Sequence, residues 1–191
     1  IGYPNAKKVP LKDSTVSTAN RGMTLERDLN DTNEFYLATD RAVIHKKPTP
    51  IQVVHVDYPD RTAAKITEAY YRTPSTTDYN GVYKGRAIDF EAKEIKSKTS
   101  FPFQCIHEHQ IEHLKRVIRH GAIAFVIVRF TSRNETFLVP ADRLISAYDK
   151  RERASVSYTW FTENGKRIPE GYSPRLDYLR CVDELIKEET K

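Results

Sequence analysis

The sequence predicts a single α/β domain, and three observations carry that reading. Segments with a helical period alternate along the chain with segments of strand character. Residues 122–130 form an apolar run that suits a buried strand, directly after an amphipathic stretch. The 191 residues suffice for one real core and are too few for two comfortable ones.

Residues 1–20, IGYPNAKKVPLKDSTVSTAN, are polar and carry no hydrophobic period. They read as a flexible N-terminal arm, leaving 21–191 as the domain. Residues 24–37 predict a helix with Leu25, Leu29, Thr32 and Tyr36 on one face, and 41–45 a short strand. The stretch 47–74, with prolines at 48, 50, 59 and 74, reads as a projecting insertion, because proline sits poorly inside a central sheet. It contains a strand-like piece at 51–58 and a short helix-like piece at 62–70. Residues 75–79 and 86–94 read as two strands joined by a tight turn. Residues 107–120 predict a helix with Ile111, Leu114, Val117 and Ile118 apolar and Gly121 placed to end it. A strand at 136–140 and a helix from about Ala141 follow, 158–168 is ambiguous, and 174–187 is a final helix with Leu179, Val182 and Ile186 on one face.

Composition narrows the function classes. Hydrophobic residues at 39% and charged residues at 30% suit a folded domain. No run of about 18 apolar residues offers a membrane span, and residues 1–20 lack the apolar core of a signal peptide. Cys105 and Cys181 stand far apart without CxxC spacing, which argues against a disulfide scaffold or a cysteine zinc site. A cytoplasmic protein is the simplest expectation. The net charge of +5 hints at an acidic partner, and residues 41–100 concentrate it, with eleven Lys/Arg against seven Asp/Glu.

The candidate chemistry lies in that same stretch, TTDYNGVYKGRAIDFEAKE. Along 88–93 the side chains alternate, with Ile88, Phe90 and Ala92 on one face and Asp89, Glu91 and Lys93 on the other. Two turns compete before it. A turn at Lys84-Gly85 sets Asp78 opposite Glu91 and Thr76 opposite Lys93, with Cβ atoms roughly 4.5–5.5 Å apart. A turn at Asn80-Gly81, the stronger signal in isolation, sets Asp78 opposite Tyr83 instead. Two carboxylates at such a distance repel unless a cation sits between them. Oxygen ligands favour Mg²⁺, or Mn²⁺. Such an ion polarises a phosphodiester and lowers the pKa of a bound water, and a lysine on the same face stabilises developing charge. The parts match metal-assisted phosphodiester hydrolysis, although a solvated edge strand can carry the same alternation.

Asp78, twelve residues, then Glu91-Ala92-Lys93 is similar to the PD-(D/E)xK nuclease motif, with Thr77 where that motif has proline. The segments NRGMTLE, AVIHKKPTPIQ, STTDYNGVYKG, IDFEAKE, KTSFP and HEHQIEHL, in that order over about 20–178, resemble the RecU family of bacterial Holliday-junction resolvases. The resemblance implies a restriction-endonuclease-like core, with a mixed sheet flanked by helices and a stalk at about 47–74 that enters the junction centre. It implies an Mg²⁺-dependent endonuclease that nicks four-way DNA junctions symmetrically in recombination and repair, leaving 5′-phosphate ends. Asp78, Glu91 and Lys93 become the catalytic residues. Thr76, Asp78, Glu91 and Gln110 become metal ligands, and Glu26 an additional acidic residue. The resemblance further implies a homodimer, with recombinase and branch-migration motor proteins as partners. Two rival readings are a sequence-specific restriction-type nuclease on the same core and a non-catalytic junction-binding accessory. The intact Asp78, Glu91 and Lys93 weigh against loss of chemistry.

Each residue also has a plainer reading. Asp89 could compete as a ligand, but the family pattern favours a structural or surface role. Gln110 near a helix start could satisfy free backbone N–H groups, and Glu26 is by default a solvated helix face. His107, His109 and His113 lack an HExxH or cysteine partner for zinc and fit a helix cap or the DNA backbone better. Arg21, Lys46, Lys47, Arg61, Lys65, Arg72, Lys84, Lys96 and Lys98 read as phosphate contacts. Tyr58, Tyr70 and Tyr71 are candidates for stacking at an open junction. Trp160 and Phe161 are assigned to the core or the dimer interface.

Overall fold

The structure, a computed structural model, describes residues 24–59, 63–72 and 76–189. The proposed arm at 1–20, Arg21 and Arg61 lie outside the described residues. The chain runs α1 (Leu25–Ala38), β1 (Val43–Lys46), β2 (Ile51–Asp57), β3 (Lys65–Tyr71), β4 (Tyr79–Tyr83), β5 (Arg86–Ile95) and β6 (Ser100–Pro102). It continues through α2 (Glu108–Arg119), β7 (Ile123–Phe130), β8 (Glu135–Pro140), α3 (Ala141–Lys150), β9 (Ser155–Ser157), α4 (Tyr158–Asn164), β10 (Lys166–Arg167) and α5 (Tyr178–Glu189).

Six strands form a mixed sheet in the order β1-β4-β5-β7-β8-β10, in which β5 and β7 are parallel and the other neighbours antiparallel. Parallel neighbours need a long crossover, and here α2 lies in it. The expected mixed sheet flanked by helices is present. All eight residues of β7 are buried, as the apolar run requires of a strand covered on both faces. On one face Leu29 and Tyr36 of α1 and Tyr178, Leu179 and Val182 of α5 pack against Tyr79, Phe90 and Phe125. On the other, α2, α3 and α4 cover Val126, Val128 and Val139 with Ile111, Leu114, Leu144 and Phe161.

The helix ends follow from capping. Thr24 accepts from the Arg27 N–H at 3.3 Å, and Glu94 Oε2 of β5 accepts from Leu25 N at 2.8 Å. A buried ion pair, Arg129 to Asp28 at 2.7 Å, fixes α1 on the sheet. Gly121, with φ +82°, follows α2 in the left-handed region.

Three expectations change. The helix-like piece at 62–70 is strand β3, paired with β2 as a two-stranded ribbon apart from the main sheet. Ile66 and Tyr70 lie four apart, an even spacing that fits a strand face as well as a helix, and the β-branched and aromatic content favours the strand. The strand expected at 75–79 begins at Tyr79 and runs on to Tyr83, so Asp78 sits at its entrance. The last helix starts at Tyr178 rather than about Pro174.

Candidate active site

The register of the β4–β5 hairpin decides which side chains meet. The chain turns at Lys84-Gly85, with φ values of 49° and 74°, and Tyr79 pairs with Phe90, Asn80 with Asp89 and Gly81 with Ile88. Asp78 is therefore next in line opposite Glu91. Asn80-Gly81 is no turn. Gly81 is needed because β1 crosses so close that a Cβ there would lie 2.1 Å from the Val43 carbonyl oxygen. Lys84 holds a left-handed conformation that glycine normally takes.

Beneath this pair runs an aromatic row. The rings of Tyr79, Phe90 and Phe125 stack at 4.7 Å centroid spacing across β4, β5 and β7, so the backbone carrying Asp78 and Glu91 rests on close-packed core. Glu91 is wholly buried. Lys93 Nζ forms an ion pair with its Oε1 at 2.7 Å, and among the described residues no backbone N–H or hydroxyl donates to either carboxylate oxygen. Burial pushes the Glu91 carboxyl up to about 7; Lys93 opposes this and Asp78 adds to it. A buried carboxyl short of donors is a strained arrangement in the chain alone, and a cation relieves it.

Glu26 and Lys46 flank the same end of the sheet, paired at 2.6 Å across the mouth of an open cleft of about 510 Å³ that also borders Asp78, Tyr79 and Glu94. A larger open groove, about 690 Å³, lies between α3 and α4 beside Trp160 and contains none of these acids. Thr76 is half-buried, and its hydroxyl donates to the Thr77 carbonyl at 3.3 Å. Gln110 is buried, and its Oε1 accepts from the His107 N–H at 3.0 Å, the capping role that its position suggested. His107 and His109 stack at 5.4 Å beside this helix start. Burial, His107 and Lys93, in that order, lower the His109 pKa, which places His109 near Lys93.

Among the described residues no three His, Cys, Asp or Glu side chains converge on one point. The donors that fit a hard cation are thus two carboxylates, Asp78 and Glu91, with the neutral Thr76 hydroxyl two residues before Asp78; Gln110 comes from α2, and its Oε1 already accepts from the His107 N–H. That set suits Mg²⁺, which keeps several waters and takes one or two carboxylates.

The basic residues divide. Lys46 faces Glu26 and Lys47 is held by Asp89 at 3.0 Å, whereas Lys65, Lys84, Arg72, Lys96 and Lys98 are exposed. Lys84 pairs with Asp183 at 2.5 Å. Tyr70 and Tyr71 are 61% and 84% exposed on the ribbon. Phe161 is core and Trp160 half-buried beside it. The sequence reading missed the partners of Asp89, which are Lys47, Thr77 and His113. The alternation put Asp89 on the right face, but contacts across 12 to 42 residues leave no local signal.

Residues 20–184 match the RecU family, Recombination protein U. The chain belongs to the RecU family. Proteins named Holliday junction resolvase RecU from Bacillus thuringiensis (strain Al Hakam), Bacillus cereus (strain AH820) and Bacillus anthracis (strain CDC 684 / NRRL 3495) are each 52% identical to it over 197 residues, spanning 97% of this chain and 98% of each relative. Among solved structures, Hjc of Archaeoglobus fulgidus, a Holliday junction resolvase, aligns with a TM-score of 0.41 and 15% identity over 73% of this chain and 90% of Hjc. Every candidate residue named above, from Arg21 to Gln110, falls inside the span matched to RecU.

Proposed function

We propose that this RecU-family chain is a Mg²⁺-dependent endonuclease that cuts four-way DNA junctions by paired symmetric nicks. The observation that carries the reading is Glu91, a wholly buried carboxyl set between Asp78 and Lys93, with the Lys93 ion pair at 2.7 Å. The names of the RecU relatives supply the substrate class.

Asp78 and Glu91 would hold the cation, with Thr76 and Gln110 completing its surroundings. Such an ion would supply an activated water and polarise the scissile phosphate. Lys93, on the same strand face as Glu91, stands where negative charge grows on the phosphoryl oxygens and stabilises it. The P–O3′ bond breaks, leaving a 5′-phosphate and a 3′-hydroxyl that a ligase can rejoin. Glu26, turned toward Lys46, borders the cleft from α1. The ribbon β2–β3 carries aromatic and basic side chains into the junction centre, where Tyr58, Tyr70 and Tyr71 stack on unpaired bases and Lys65 and Arg72 meet phosphates. Lys96 and Lys98, just past β5, contact an arm of the junction.

A homodimer accounts for paired cuts, because two sites related by a two-fold axis address two strands of a pseudo-symmetric substrate. No helix among the described residues is long and apolar enough to cross a membrane. The reading puts the protein with cytoplasmic DNA, alongside recombinase and branch-migration motors.

The test is incubation of the purified protein with a synthetic four-way junction and a matched linear duplex, in Mg²⁺ and in EDTA. Symmetric nicks in the junction alone, lost in EDTA, are expected. Equal cutting of the duplex would favour a restriction-type nuclease, and binding without cutting an accessory.

A further inference from the structure

Asp89 precedes Glu91 by two residues on the same face of β5 and is 7% exposed. Its carboxylate is shared by three side chains from separate parts of the chain. Lys47 Nζ reaches Oδ2 at 3.0 Å, the Thr77 hydroxyl donates to Oδ1, and His113 Nε2 donates to Oδ1 at 3.1 Å. Lys47 also bonds the Thr77 hydroxyl at 3.0 Å, and its backbone N–H donates to the Asp78 carbonyl at 2.7 Å.

Lys47 stands just before the ribbon β2–β3 and Thr77 just after it, next to Asp78. His113 is three residues from Gln110 on α2. One buried carboxylate thus ties both roots of the ribbon to the segment bearing Asp78 and to the helix bearing Gln110. Both of its oxygens are already committed to protein donors, which answers the question of whether Asp89 competes as a metal ligand. A buried network of this kind holds its members in one arrangement when all are satisfied, and loosens them together when one is lost.

We infer that Asp89 is a positioning residue that links the seating of the ribbon to the placement of Asp78. Engagement of the ribbon by branched DNA and alignment of the cutting site then become one event. The inference rests on the junction-nuclease reading above.

The experiment uses full-length Asp89→Asn, which keeps the shape but removes the charge. On the four-way junction in Mg²⁺, kcat is expected to fall about 30- to 100-fold with KM and junction binding in EDTA changed less than about threefold. In the protein alone, the amides of 77–79 should exchange with solvent about tenfold faster while those of β7 keep their protection. Lys47→Met should reproduce the kcat loss, and the double variant should add nothing to either single one, as members of one network behave. Unchanged kcat and exchange in Asp89→Asn, or losses that multiply in the double variant, would overturn the link. So would a raised KM with normal kcat in Lys47→Met, which makes that lysine a phosphate contact. Should Asp89→Asn not fold, Lys47→Met and His113→Gln carry the same kinetic test, and normal kcat in both refutes the link. Absence of cutting by the wild-type protein refutes the nuclease reading instead, and the exchange comparison still decides the role of Asp89.

Discussion

The molecule contains two antiparallel strand pairs of similar length and opposite circumstance. β4–β5 carries Asp78 at its entrance and Glu91 and Lys93 along it, with Tyr79, Phe90 and Ile88 fully covered by core. β2–β3 is exposed almost from end to end, with Val54 at 52%, Ile66 at 50% and Tyr71 at 84%. The first pair is held on both faces and can keep charged groups fixed to a fraction of an ångström, which catalysis demands. Among the described residues, the second pairs only within its own ladder and leaves its side chains open to a substrate. On the proposed reading, chemistry and recognition are thus separated by burial within one short stretch of chain.

That contrast can be broken at several points. The largest expected effect is on turnover. Lys93→Ala or Asp78→Ala should lower junction cleavage by at least about 10³-fold while junction binding in EDTA stays within about threefold. Equal loss of both would indicate misfolding. For stability, Phe90→Ala in the buried pair should cost about 3–5 kcal/mol, and Val54→Ala in the ribbon less than about 0.5 kcal/mol, both read from chemical denaturation.

Glu91 gives the buried pair a pH signature. Its carboxyl is raised from 4.5 to about 7, so the folded protein binds this proton more tightly than the unfolded chain. In EDTA, Glu91's share of stability, on the order of 3 kcal/mol, is complete below about pH 4.5 and is lost as pH rises through 7. Denaturation at pH 5.5 and pH 8 should show about 2 kcal/mol of that loss in the wild type and a flatter slope in Glu91→Gln. A cation must displace the same proton, so the Mg²⁺ needed for half-maximal cleavage should rise about tenfold for each pH unit below 7. Gly81→Ala, whose Cβ would meet the Val43 carbonyl, should cost about 1–3 kcal/mol by thermal melting. Smallest is the paired change Tyr70→Ser with Tyr71→Ser. It should reduce junction cleavage about three- to tenfold without shifting the melting temperature.

The parts of the fold legible in the sequence are those whose signals are local. The faces of α1, α2 and β5 and the apolar run of β7 all appear as periodicity, and the structure keeps them. Residue type leaves the hairpin two registers and favours the wrong one, because Asn80-Gly81 is the stronger turn signal and Lys84-Gly85 the weaker. Only the approach of β1, a contact between distant segments, shows that Gly81 serves strand packing instead. The ribbon's second strand was misread for a related reason: an even spacing of four satisfies both periods, and no packing face existed to choose between them. At the site, the strand-face alternation exposed Glu91 and Lys93, while the partners of Asp89 are joined only by folding.

The ribbon also has an intermolecular consequence. Among the described residues neither strand has a second neighbour, and 51–56, IQVVHV, carries four β-branched apolar residues and no acidic or basic group other than a histidine. Such a segment is a template for strand addition between copies. The chain answers with Pro48, Pro50 and Pro59 around it, His55 in contact with the Asp57 carboxylate near its tip, and a break in register between Val53 and Val56 that spoils a flat ladder. An arm this exposed is thereby kept from knitting its own copies into fibres.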